Sequence, residues 1–263
     1  MRKIILSLAA IYFILVHSIA SAANTWGTDI SDLWWNPNES GWGANVAHQG
    51  DILFMTLYVY GDDHQPKWYF ASGMASQGGS NRFVFVGDLY ETSGPYFGSG
   101  FDPNALNIRK VGTAKFDLTT INHAIFDYSV DGVNVKKSIE RQTFRNNNLS
   151  GKYLGATKST FSGCPSGNGA AQNTASFTIN HDINNKVSIL ASINSGINCT
   201  YSGNYSQAGR MGYFTGTASC TNGASFNFQA YEIEASYQGF FMRYDANYGG
   251  TCQEHGVIAS LKT

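Results

Sequence analysis

AIFDYSVDGVNVKKSIERQTF, residues Ala124 to Phe144, decides the fold class. Residues alternate in character on both sides of Asp131-Gly132, and Asp-Gly between two such runs is the strongest short-range hairpin signal. Both central positions of its turn take positive φ, which Asp and Gly tolerate. A two-residue loop pairs Val130 with Val133, and the rest of the register follows. Phe126, Tyr128 and Val130 stand opposite Lys137, Val135 and Val133 on one face, while Asp127 faces Lys136 and Ser129 faces Asn134 on the other. The first face is the core side and the second is wet.

The same pattern recurs on both sides of this hairpin. Before it, strands are expected at Ile52–Tyr60, Pro66–Gly73, Phe83–Tyr90 and Val111–Leu118. After it they are expected at Lys152–Thr157, Gln172–His181, Lys186–Ser195, Cys199–Ser206, Met211–Ser219, Ser225–Glu234, Tyr237–Tyr244 and Cys252–Leu261. Short strands at even spacing, punctuated by Gly and Asn, describe an antiparallel barrel or sandwich, and eight of them suit an up-and-down barrel. No apolar stripe of helical period runs through the chain after residue 23.

Composition points the same way. Only 13% of the 263 residues are charged, 14% are aromatic and Gly numbers 29, a balance that favours strands and tight turns. All five Trp (Trp26, Trp34, Trp35, Trp42, Trp68) precede residue 69, and all four Cys (Cys164, Cys199, Cys220, Cys252) follow residue 163. Between them lies the polar stretch Arg145-Asn146-Asn147-Asn148-Leu149-Ser150-Gly151. One core built on large aromatics and another held by disulfides implies two tandem all-β domains of about eight strands each, 23–146 and 147–263.

Residues 1–22 have the three regions of a cleaved signal peptide. Arg2 and Lys3 precede the apolar run Ile4–Ala20, and Ala20-Ser21-Ala22 is an Ala-x-Ala cleavage site. The mature chain would begin at Ala23 and reach an oxidising, secreted or periplasmic compartment. It would carry 15 basic against 18 acidic residues, a net charge of −3 that offers no footprint for nucleic acid. No membrane span is expected after cleavage, and a transmembrane barrel is disfavoured by the cysteines.

In that compartment the cysteines should pair. A tight turn at Ala208-Gly209-Arg210-Met211 brings Cys199 directly opposite Cys220, within disulfide reach. Cys164 and Cys252 are then left to each other. No Cys or His spacing suits a metal, and no cofactor motif is present.

Common catalytic signatures are absent. Asp62-Asp63-His64 reads as turn chemistry, and Glu254-His255 beside Cys252 suggests no reaction class. The more informative stretch is Leu33-Trp34-Trp35-Asn36-Pro37-Asn38-Glu39-Ser40-Gly41-Trp42-Gly43. Adjacent Trp residues in extended backbone point to opposite sides, so one core cannot bury both; each ring either plugs the barrel end or stacks on a ligand. The inward face of the hairpin also carries Lys137 and Arg141, which either line a polar pocket or snorkel at the rim. Closure of the barrel would bring Trp42 to Arg141 for a cation–π contact. Trp34, Trp35, Trp42, Lys137 and Arg141 are therefore the expected ligand-binding residues.

The Trp34–Gly43 motif, the Gln49-Gly50-Asp51 that precedes a strand, and Tyr128–Val133 with Lys137, Ile139, Arg141-Gln142 and Phe144 together resemble an uncharacterised module of exported bacterial proteins. The resemblance covers about residues 30–145 and implies export and a domain boundary. The second domain is similar in outline to the calycin group of lipocalin- and avidin-like barrels, without the lipocalin Gly-x-Trp. The lipocalin pairing of an early Trp with a late Arg would fall on Trp42 and Arg141.

The leading expectation is an exported, non-catalytic protein binding a carbohydrate or small molecule through aromatic contacts. Two alternatives remain: an exported hydrolase hidden among Glu39, Asp62, Asp63 and the histidines, and an envelope or adhesion protein making protein contacts.

Overall fold

A computed structural model describes residues 28–78, 83–98 and 100–263. The expected signal peptide and the expected Ala23 start lie outside the described residues. Among the described residues sixteen strands form two closed antiparallel barrels of eight, each wound up and down in chain order. The first contains β1 (Asp32–Trp35), β2 (Gly43–Gln49), β3 (Ile52–Tyr60), β4 (Pro66–Ser76), β5 (Val84–Ser93), β6 (Asn107–Thr120), β7 (His123–Val130) and β8 (Val133–Arg141). The second contains β9 (Gly151–Ser162), β10 (Gly169–His181), β11 (Lys186–Ile193), β12 (Asn198–Ala208), β13 (Met211–Cys220), β14 (Ser225–Ala235), β15 (Gly239–Asn247) and β16 (Gln253–Lys262). Among the described residues no helix is long and apolar enough to cross a membrane.

The hairpin register is the expected one, with Phe126 opposite Lys137 and Val130 opposite Val133. Asp131 and Gly132 take the positive φ values, 47° and 87°, that their turn needs. β1 and β2, which flank the Pro37 and Gly41 loop, are additional to the expected strands. β1 closes the first barrel on β8 through only two register pairs, Trp34 with Arg141 and Trp35 with Glu140. The second barrel closes along ten, from Ser162–Gln253 to Tyr153–Lys262.

An eight-stranded barrel has an interior just wide enough to be filled by side chains or to hold one small ligand. The two barrels take different options. Of the twelve largest fully buried side chains among the described residues, ten belong to the first barrel's core, with Trp34, Phe116 and Phe126 the bulkiest. The second barrel turns Ala175, Ala191, Ala218, Ala230 and Ala246 inward among its aromatics, and its centre stays open.

The connecting segment is docked. Gln207 in β12 accepts from the Asn147 backbone N–H at 2.6 Å and donates to the Arg145 carbonyl, while Leu149 is buried in the second core. The β12–β13 turn meets the first barrel. There the Arg210 backbone N–H donates to Asp32 Oδ2 at 2.9 Å, Gly209 N–H to Thr143 Oγ1 at 2.8 Å, and Asn122 to the Tyr213 hydroxyl at 2.7 Å. The Arg210 guanidinium also pairs with Asp29.

Candidate functional site

The open centre of the second barrel is a cavity of about 310 Å³. Its floor and walls are Phe177, Ile189, Phe214, Phe228, Met242 and Ile258, and its rim is Ser195, Ile197, Asn222 and Ala224. Those rim residues come from the β11–β12 and β13–β14 connections, at the end away from the turn that meets the first barrel.

The chemistry comes from β16. Its alternation turns Glu254, Gly256, Ile258 and Ser260 inward, which places a carboxylate in an apolar barrel with 8% of its surface exposed. The Tyr244 hydroxyl donates to Glu254 Oε1 and the Tyr248 hydroxyl to Oε2, each at 2.7 Å. Tyr244 leans across its register partner Gly256, where a Cβ would sit 2.6 Å from the ring. Glycine at 256 is therefore what lets that ring reach Glu254.

Around the carboxylate, Tyr248 packs at 4.3 Å on Phe226 and at 5.8 Å on Phe161, and Tyr201 meets Phe226 and Phe228 edge-on. Burial pushes the Tyr244 and Tyr248 hydroxyls up, and the charge of Glu254 with their hydrogen bonds to it pushes them further. Burial, then Glu254, takes Tyr201 up to about 12. All three phenols are thus neutral donors at physiological pH. Among the described residues that line the cavity none is Lys, Arg or His. A carboxylate, two phenol donors and an aromatic wall can together bind a small molecule.

The disulfides sit at this end of the barrel. Cys199 and Cys220 are bonded at 2.02 Å, directly opposite each other and both on the cavity wall. Cys164 and Cys252 are bonded at 2.00 Å, two residues before Glu254.

The five residues expected to bind ligand all lie in the first barrel and do not form one group. Trp34 is buried at 1% exposure, donates from Nε1 to the Ile30 carbonyl and meets Phe116 edge-on. Arg141 stacks on Trp34, with 5.1 Å from guanidinium carbon to ring centre. This corrects the expected Trp42–Arg141 contact: β1 is the strand that pairs with β8, so position 34 is the one opposite Arg141. Arg141 also donates to the Asp29, Ser31 and Ile121 carbonyls and to Asp32 Oδ2 at 3.0 Å.

Trp42 instead lies 6.0 Å from Lys137 Nζ, and both bond Glu39 Oε2, Lys137 at 2.7 Å and Trp42 Nε1 at 3.1 Å. The hydrogen bond from Lys137, joined by that from Trp42, holds the Glu39 carboxyl below the usual range against desolvation. Trp35, half-buried, alternates to the other face of β1.

Some of the residues proposed for a hydrolase have partners of their own. Asp63 accepts the Gln65 N–H within its turn, and His255 faces outward to Asp245 at 2.6 Å. Among the described residues no group of three or more His, Cys, Asp and Glu is placed to hold a metal ion. A further aromatic surface, unanticipated, runs over the outside of β3 to β5, where Phe54, Trp68 and Tyr90 each stack or tilt against Phe70.

In the sequence Glu254 stands out only beside Cys252. The signal that would have found it was the strand's own alternation, Glu254, Gly256, Ile258, Ser260, with an acid on the inward side.

No family model matches the chain, and no curated protein does. A solved structure of a protein of unknown function from the DUF3598 family of Nostoc punctiforme is similar over 89% of this chain and 94% of that one, at 9% identity and a TM-score of 0.25. A likeness that distant carries no argument about the site.

Proposed function

We propose that this is an exported, non-catalytic binding protein that encloses one small, largely apolar molecule in its second barrel. The observation that supports it most is the cavity: about 310 Å³, walled by aromatic and aliphatic side chains, with one oriented polar group. That volume lies at the small end of ligand pockets, and a few placed polar groups among apolar walls is their usual composition. Export is supported by the residue 1–22 pattern and by two disulfides, which persist in oxidising compartments.

The test is binding of a neutral, environment-sensitive naphthalene dye, followed by its fluorescence. The wild-type protein should bind one dye per chain. Ala191→Phe, which fills the cavity from β11, should abolish that binding. Undiminished binding by the folded variant would place the dye elsewhere and remove the support for the cavity. Intact mass of the exported protein should begin at Ala23.

A second reading, contact with a sugar ring or a protein surface, is favoured by the outer aromatics, where Trp68 is 50% exposed and Phe54 45%. The half-buried Trp35 and Trp42, with Lys137, are candidate contacts of the same kind, whereas Trp34 and Arg141 are committed to the core. Glycan binding lost on Trp68→Ala or Trp42→Ala, with the Ala191→Phe variant unaffected, would favour this reading over the cavity.

A further inference from the structure

We infer that the ligand of the second barrel is an organic cation, an amine with an apolar body whose ammonium docks on Glu254; this rests on reading that barrel as a ligand cavity. Burying a carboxylate is costly unless it is paired and hydrogen-bonded. Glu254 is 8% exposed, and among the described residues lining its cavity no cation compensates it. Its two partners, the Tyr244 and Tyr248 hydroxyls, each use one lone pair of one oxygen. An ionised carboxylate is acceptor-only with about four lone-pair sites, so the remaining capacity on both oxygens asks for more donors.

If Glu254 served only to organise the two tyrosines, a neutral Gln could accept a phenol bond at lower desolvation cost. The negative charge gains its value when a positive charge arrives. An ammonium supplies that charge together with three N–H donors.

The surroundings select the rest of the ligand. Tyr201, Phe226 and Tyr248 border the cavity near Glu254, and aromatic faces attract cations most strongly where water is excluded. Below them Phe177, Ile189, Met242 and Ile258 offer an apolar bed. A carboxylate or phosphate ligand would meet Glu254 with like charge and find no Lys, Arg or His among the described lining residues. A free sugar would leave most of its hydroxyls unpaired against these walls.

The experiment is calorimetric titration of the full mature chain near neutral pH with octylamine, octanol and octanoate, which share a tail and differ in head group. Octylamine should bind about tenfold or more tighter than octanol, the gain expected of a charge-assisted hydrogen bond, with octanoate weakest. Glu254→Gln should bring octylamine to near parity with octanol. Should that variant fail to fold, Tyr248→Phe serves instead: it keeps the ring, leaves the carboxylate more in need of charge, and should preserve or widen the amine preference.

Equal binding of the three compounds, blocked by Ala191→Phe, would overturn the amine inference and leave the cavity reading standing. Amine binding that survives Ala191→Phe would place it outside the barrel and overturn the inference as well. Absence of binding by all three and by the naphthalene dye would overturn both.

Discussion

Arg141 is a buried cation of the first barrel. Alternation along Val133–Phe144 turns it inward, and it is inward. It then meets four acceptors and the face of Trp34. Its side chain is fully buried beside Asp32, and removing one member of a buried ion pair strands the other. Arg141→Ala should therefore destabilise the first barrel by about 3–5 kcal/mol in denaturant titration. A loss below about 1 kcal/mol, the range of exposed pairs, would refute the buried-pair account. Glu39 makes the opposite case. Its carboxyl is held low by Lys137, so its contribution to the Trp42 loop is present above the usual carboxylate range and lost as pH falls through the depressed value. Acid titration of tryptophan emission should show a transition below that range, and Glu39→Gln should erase it. Gly256→Ala tests the second barrel. Its Cβ would displace the Tyr244 ring, costing about 1–3 kcal/mol as overpacking does and weakening dye binding, whereas unchanged affinity would detach Gly256 from the site.

At the scale of elements, the sequence was most readable where a turn fixed a register. The Asp131-Gly132 and Ala208–Met211 turns each specified every pairing along their hairpins, down to Cys199 opposite Cys220. It was least readable at β1, four residues long and contributing two register pairs to the closure, because so short a segment shows no period. The misassigned Trp42–Arg141 contact followed from that missing strand. Peptide mapping without reductant should recover Cys199–Cys220 and Cys164–Cys252, whose bonds span 21 and 88 residues. By the loop-entropy relation, losing the shorter should cost roughly 3 kcal/mol and the longer about 4.5, since a longer loop frees more of the unfolded chain. Equal or reversed losses would mean that native-state effects outweigh the unfolded chain.

At the scale of the whole molecule, the division into an aromatic-rich and a disulfide-bonded half was legible in where Trp and Cys fall. Which barrel would stay open was not. That depends on the summed volume of inward side chains from eight strands, and a single hairpin carries one quarter of that sum. The connecting segment is held in place despite its polar composition: Gln207 and His181 tie its backbone to the second barrel. Limited proteolysis with chymotrypsin should therefore cut first at Phe97, 90% exposed between β5 and β6, before Phe144 at 73%. Initial release of two barrel-sized fragments would show the connection to be looser than its hydrogen bonds imply.

The tip of the β12–β13 turn carries one more implication. Gly209, at φ 57°, sits so close to Asp32 and Arg141 that a Cβ there would collide with both, and the next peptide N–H caps Asp32. The second barrel thus supplies the stopper for the foot of the first. Separated from this partner, the first barrel would lose the Arg210 N–H from Asp32 and the peptide that covers Arg141.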